Sequence, residues 1–119
     1  MPPPRLGAVG LGSTSVTEAK EHHLTFLFLI TGVGRSEVPS TVRGLARAAV
    51  EQGHRVELFL AGEGVTQADQ LAAAGPVTLC DADLRWRGQD PRATEGVRRG
   101  SLRDLSLLLR DADRVLVFR

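Results

Sequence analysis

The chain has 119 residues, 42% of them hydrophobic and 24% charged, a balance that fits one globular domain and excludes wholesale disorder. Net charge is only +1 and aromatic residues make up 4%, so neither a basic field nor stacking platforms point to nucleic acid as the primary ligand. One cysteine excludes an intrachain disulfide and suits a reducing cytoplasm, and the sole lysine, Lys20, lies ahead of the apolar-patterned region, which excludes Schiff-base chemistry in a core.

Residues 1–23 carry Pro2, Pro3, Pro4, Gly7, Gly10 and Gly12 without periodicity and read as a disordered leader, or as a start site placed too far upstream. His22 and His23 close it. Adjacent histidines point different ways on a strand and have no further ligands nearby, so no metal site is expected. The domain then runs from 24 to 119. Leu24–Ile30 is a nearly continuous apolar run, too short to cross a bilayer, and continuity rather than alternation predicts a strand covered on both faces of a parallel sheet. No membrane association is expected.

After the turn Thr31–Gly34, Pro39 and Ser40 open a helix with Val42, Leu45, Ala46, Ala49 and Val50 on its apolar stripe, Arg43, Arg47 and Glu51 toward water, and Gly53 as its stop. Arg55–Ala61 is the second strand and Gly62–Val65 a loop. Thr66 to Asp69 reads as a capping box for a short helix that ends at Gly75–Pro76. Val77–Cys80 is the third strand, followed by a helix over 81–87 that Gly88 ends. Gln89–Thr94 reads as an exposed loop and Glu95–Arg98 as a short strand. Ser101 caps a last helix with Leu102, Leu105, Leu108 and Leu109 inward, and Arg114–Phe118 is the last strand. Strict alternation of strands and helices predicts a single α/β domain: a mostly parallel five-stranded sheet with helices on both faces.

Ligands meet such sheets at the carboxyl ends of the strands. Three loops lie there: Thr31–Ser36, Ala61–Val65 and the start of the helix after Cys80. In the first, backbone N–H groups around Gly32 and Gly34, with Arg35 and Ser36, form a candidate anion cradle, or a connection that needs glycine for its backbone; it lacks the Gly-Lys-Ser/Thr ending of a P-loop. Glu63 and Gly64 line the second. Cys80 is the candidate nucleophile. A helix N-terminus would lower its pKa, with Arg85 and Arg87 adding to the effect, whereas Asp81 and Asp83 would raise it; the alternative is an inert small hydrophobe. His54, the one histidine inside the patterned region, falls at the opposite edge and is no partner for a catalytic pair.

Several segments, in order and spacing, resemble the DsrE-like family: Phe26–Thr31, Ala46–Leu60, Gly62-Glu63-Gly64-Val65, Leu79-Cys80, Arg87-Gly88, Glu95-Gly96-Val97, Gly100-Ser101-Leu102 and Ala112–Phe118, together covering residues 24–119. The resemblance implies a sulfur-relay protein that carries persulfide sulfur on Cys80 between donor and acceptor proteins, with no metal or organic cofactor, assembled as a homotrimer or homohexamer. Where some related members place a second cysteine this chain has Asp83, so a resolving thiol is missing, and Glu63 replaces a more usual Asp. The competing expectation is a binding module or assembly subunit of the same fold, holding a small anion or a partner at Gly32, Gly34, Arg35, Ser36, Glu63, Gly64 and Arg87.

Overall fold

A computed structural model of the chain describes residues 23–32, 37–88 and 97–119. The expected leader (except His23), the loop residues Gly34, Arg35 and Ser36, the loop Gln89–Thr94 and the start of the strand expected at Glu95 lie outside the described residues.

The strands are β1 (Thr25–Ile30), β2 (Arg55–Leu60), β3 (Val77–Cys80), β4 (Arg98–Gly100) and β5 (Arg114–Phe118). The helices are α1 (Val38–Glu51), α2 (Ala68–Leu71), α3 (Asp81–Trp86) and α4 (Leu102–Asp111), with 3-10 turns at Gly62–Gln67 and Ala72–Ala74. All pairings are parallel, in the order β4-β3-β2-β1-β5. The α/β fold expected from the alternation is therefore present, with every strand parallel.

The sheet grows in one direction from β1 to β4 and then reverses. Right-handed crossovers put α1 to α3 on one face, and the reversal puts α4 on the other. Leu27, Phe28, Ile30, Leu58, Phe59, Leu60 and Leu79 are buried, as expected for central strands covered on both sides. Two glycines stop helices by taking positive φ: Gly53 (87°) after α1 and Gly88 (65°) after α3. Among the described residues no helix is long and apolar enough to cross a membrane.

Several local expectations are corrected. On α1, Val42 and Ala46 are buried but Leu45 and Val50 are exposed, because α1 packs chiefly on β2 and on the helical turns of residues 68–74, along a narrow line. Arg43 does not simply face water; its guanidinium donates to the Gln70 carbonyl at 3.0 Å. The capping box at Thr66 does not form. Thr66 Oγ1 donates to the Glu63 carbonyl at 2.8 Å inside the 3-10 turn, so the chain is already coiled before α2 starts. β4 lies further along the chain than the run 95–98, because the pairing with Thr78, Leu79 and Cys80 falls on Arg98, Arg99 and Gly100. On α4, Leu105 and Leu108 pack on the core, whereas Leu102 and Leu109 are exposed; one helix on a whole sheet face presents a stripe of few residues.

The N-terminus of α4 carries a reciprocal capping box. The Asp104 N–H donates to Ser101 Oγ at 3.4 Å, and the Ser101 N–H donates to Asp104 Oδ2 at 2.7 Å. That second bond, more than any nearby arginine, holds the Asp104 carboxyl below its ordinary pKa. A carboxylate with a depressed folded pKa stabilises the fold above its unfolded value, and the contribution is lost as pH falls through the folded one. Ser101→Ala is expected to cost about 0.5–2 kcal/mol in denaturant unfolding. Asp104→Asn is expected to flatten the loss of stability below about pH 4 relative to the parent chain.

Candidate functional site at the exit of β3

The carboxyl ends of β1, β2 and β3 are tied together by short polar contacts. Ala61 N–H donates to the Ile30 carbonyl at 2.9 Å, Gln67 Nε2 donates to the Gly32 carbonyl at 2.8 Å, and Gly62 N–H donates to Asp83 Oδ2 at 2.7 Å. Two glycines make this possible. Gly62 has φ 55°, with the Thr31 carbonyl oxygen 2.9 Å from where a Cβ would stand. At Gly64 a Cβ would fall onto the Ile30 carbonyl, so only glycine lets the turn lie against β1. Gly64 is therefore a packing residue, and Glu63 beside it is exposed. Gly64→Ala is expected to destabilise the fold by about 1–3 kcal/mol, read as a fall in the urea midpoint, since backbone must move to admit the methyl group.

Cys80 ends β3 and is the N-cap of α3. It is 4% exposed. Burial pushes its thiol above the ordinary pKa and the half-buried Asp83 carboxylate pushes the same way; the backbone N–H groups of Asp83 and Ala82 act in the other direction and do not overcome them. The balance left open by the sequence thus falls toward the protonated thiol in the free chain.

An open cleft of about 780 Å³ lies over Cys80, between α3, the end of β4 and the start of α4. Asp81, Arg85, Trp86, Arg99 and Leu102 are among the residues around it. Asp81 holds both arginines: Arg85 Nε lies 3.0 Å from Oδ2, and Arg99 donates to Oδ1 from Nε at 2.8 Å and from Nη2 at 2.6 Å. Arg85 is thus engaged by a carboxylate rather than turned to the thiol. Trp86 is 87% exposed and Leu102 69% exposed, so the cleft carries apolar contact surface.

Of the residues singled out from sequence, Cys80 lies on the cleft, and Gly64 belongs to the clamp beneath the neighbouring loop. Gly32 accepts the Gln67 amide, and Arg87 lies exposed at the far end of α3, away from the cleft lining. The reversal of strand order falls between β1 and β5, so the crevice favoured in open α/β sheets borders Thr31 and Gly32, not Cys80. His54 is at the amino edge, where its Nδ1 accepts the Leu24 N–H at 2.9 Å. Sequence reasoning missed Arg99 and the anchoring role of Asp83. Neither carries a local signal, because each acts on a residue about twenty positions away. Among the described residues no three His, Cys, Asp or Glu side chains gather to hold a metal ion.

No protein-family model matches the chain, and no curated protein is significantly similar to it.

Asp83→Asn keeps an oxygen for the Gly62 N–H and removes the charge beside the thiol. The rate of Cys80 alkylation by iodoacetamide is expected to reach its half-maximum at lower pH in that variant; an unchanged midpoint would assign the raised pKa to burial alone.

Proposed function

We propose that the protein is a sulfur carrier in a reducing, cytoplasmic setting, taking persulfide sulfur on Cys80 from one partner protein and yielding it to another. The supporting observation is the position of the only thiol at the floor of an open cleft, at the carboxyl end of a strand and the start of a helix. The order of motifs that resembles DsrE-like proteins supports the same reading.

The transfer is an exchange at sulfur. The Cys80 thiolate attacks the outer sulfur of a partner's cysteine persulfide; a new S–S bond forms at Cys80, the donor's S–S bond breaks, and the donor leaves as a thiolate. The proton lost from Cys80 passes by way of Asp83 or water to that leaving group. One persulfide and one thiol are consumed and one of each is made, so no external oxidant or reductant enters. Burial and the Asp83 carboxylate keep the proton on Cys80 in the free chain, and the Ala82 and Asp83 N–H groups favour the anion once the proton has moved. Since Asp83 stands where a second thiol would be, the sulfur leaves only to another protein. Trp86 and Leu102 give that protein an apolar rim to touch. A homotrimer or homohexamer of this chain is part of the proposal.

A second reading, a binding module in which Cys80 never turns over, is favoured by the burial of the thiol and by the strand-order reversal beside Gly32. Mass spectrometry separates the two. After incubation with a persulfidated donor protein the chain is expected to gain one sulfur atom, and Cys80→Ser to gain none. An unmodified parent chain that still binds its partner as well as Cys80→Ser does would establish the binding module instead.

A further inference from the structure

The two edges of the sheet are unlike. β4 is three residues long; its Arg98 side chain is held by Thr78 Oγ1 and its Arg99 by Asp81, and α4 begins directly beyond its end. Short length, charge and cover are the usual protections of an edge strand against pairing with another chain. Among the described residues nothing covers β5, and its one charge is at its first residue, Arg114. The strand is five residues long, contains no proline, and carries no charge between Arg114 and Arg119. Val115 and Val117 are 42% and 56% exposed on one face, and Leu116 and Phe118 are only half-buried on the other.

The backbone of β5 is directed in alternation. The Phe118 carbonyl accepts the Thr31 N–H at 2.9 Å, so the even-numbered residues turn their backbone groups toward β1, and Val115 and Val117 turn theirs outward. An added strand therefore bonds at these two valines.

We propose that β5 is a self-association strand, pairing antiparallel with β5 of a second copy about a twofold axis at Leu116. The strand is self-complementary in that register. Val115 lies opposite Val117 of the second copy, so both outward-bonding residues are used, and the exposed Asp113 lies opposite the exposed Arg119 of the second copy. Arg114 lies opposite Phe118, and no like charges meet. Moving the register so that Arg114 faces its own copy opposes two cations and leaves Arg119 without Asp113. The proposal does not rest on the chemistry of Cys80. It bears on assembly: a dihedral hexamer has twofold axes as well as a threefold, and a trimer has only the latter.

Sedimentation equilibrium of the full chain is expected to give an even number of copies. Val115→Lys with Val117→Lys, both at exposed positions, is expected to keep the circular dichroism spectrum and to raise the concentration of half-dissociation at least about tenfold. In a Cys80→Ser background, Leu116→Cys is expected to oxidise to a covalent dimer, because the facing Cα atoms of a non-hydrogen-bonded antiparallel pair lie about 4.5 Å apart, within disulfide range. Val117→Cys, out of register with itself, is expected not to. A monomer, a trimer alone, an unchanged assembly in the lysine variant, or cross-linking at Val117 in place of Leu116 would overturn the proposal.

Discussion

The site depends on one carboxylate placed between two elements. Asp83 rises from the first turn of α3, accepts the Gly62 N–H at 2.7 Å and stands beside the Cys80 thiol. The first bond fixes the exit of β2 against the start of α3; the second contact adds to burial in keeping the thiol protonated. A buried hydrogen bond to a charged group is stronger than one between neutral partners, so the loop and the thiol environment are held as one unit. Beneath it, the approach of Gly64 to the Ile30 carbonyl keeps the loop low enough for Asp83 to reach Gly62. Replacing either glycine would disturb the thiol without touching it.

Charge at the cleft is arranged to be spent locally. Asp81 draws in Arg85 and Arg99 from α3 and β4; Arg85 is largely exposed, where such a contact contributes little to stability, whereas Arg99 and Asp81 are both partly buried. Their effect is positional. They brace the end of β4 against α3 and, among the described residues, leave no free cation aimed at the sulfur, so the thiol is governed by burial, by Asp83 and by two backbone N–H groups.

The central strands were legible because burial on both faces leaves an unbroken apolar run, as in Phe26–Ile30 and Leu58–Leu60. The stops at Gly53 and Gly88 and the cap at Ser101 were legible because each is a local backbone requirement. What escaped reading depends on partners remote in sequence. Thr66 has the spacing of a cap, but the 3-10 turn that Gly64 lays against β1 coils the chain earlier, and the Thr66 hydroxyl donates to the Glu63 carbonyl instead. The limits of β4 are set by Thr78, Leu79 and Cys80, and nothing within Arg98–Gly100 announces a strand. Leu102 and Leu109 fit a helical stripe, but a single helix crossing the sheet buries only Leu105 and Leu108 well. At the site, Cys80 was found because it ends a strand, whereas Asp83 read as a charge opposing thiolate and its bond to Gly62 could not be seen.

The pairing of β5 with β1 also has a kinetic side. The first strand described takes its outer neighbour from the end of the sequence: Asp113 Oδ2 accepts the Thr25 N–H across 88 residues, and the register runs on to Ile30 and Phe118. Such sequence-distant closure is slow, because loop entropy is lost before the contacts form. Strands β1 to β4 emerge from the ribosome first and assemble from neighbours, so on a nascent chain β1 is itself the raw margin of the sheet, with Phe26 and Phe28 bare along it. Whatever shields that margin during synthesis acts on a different strand from the one the finished protein leaves open.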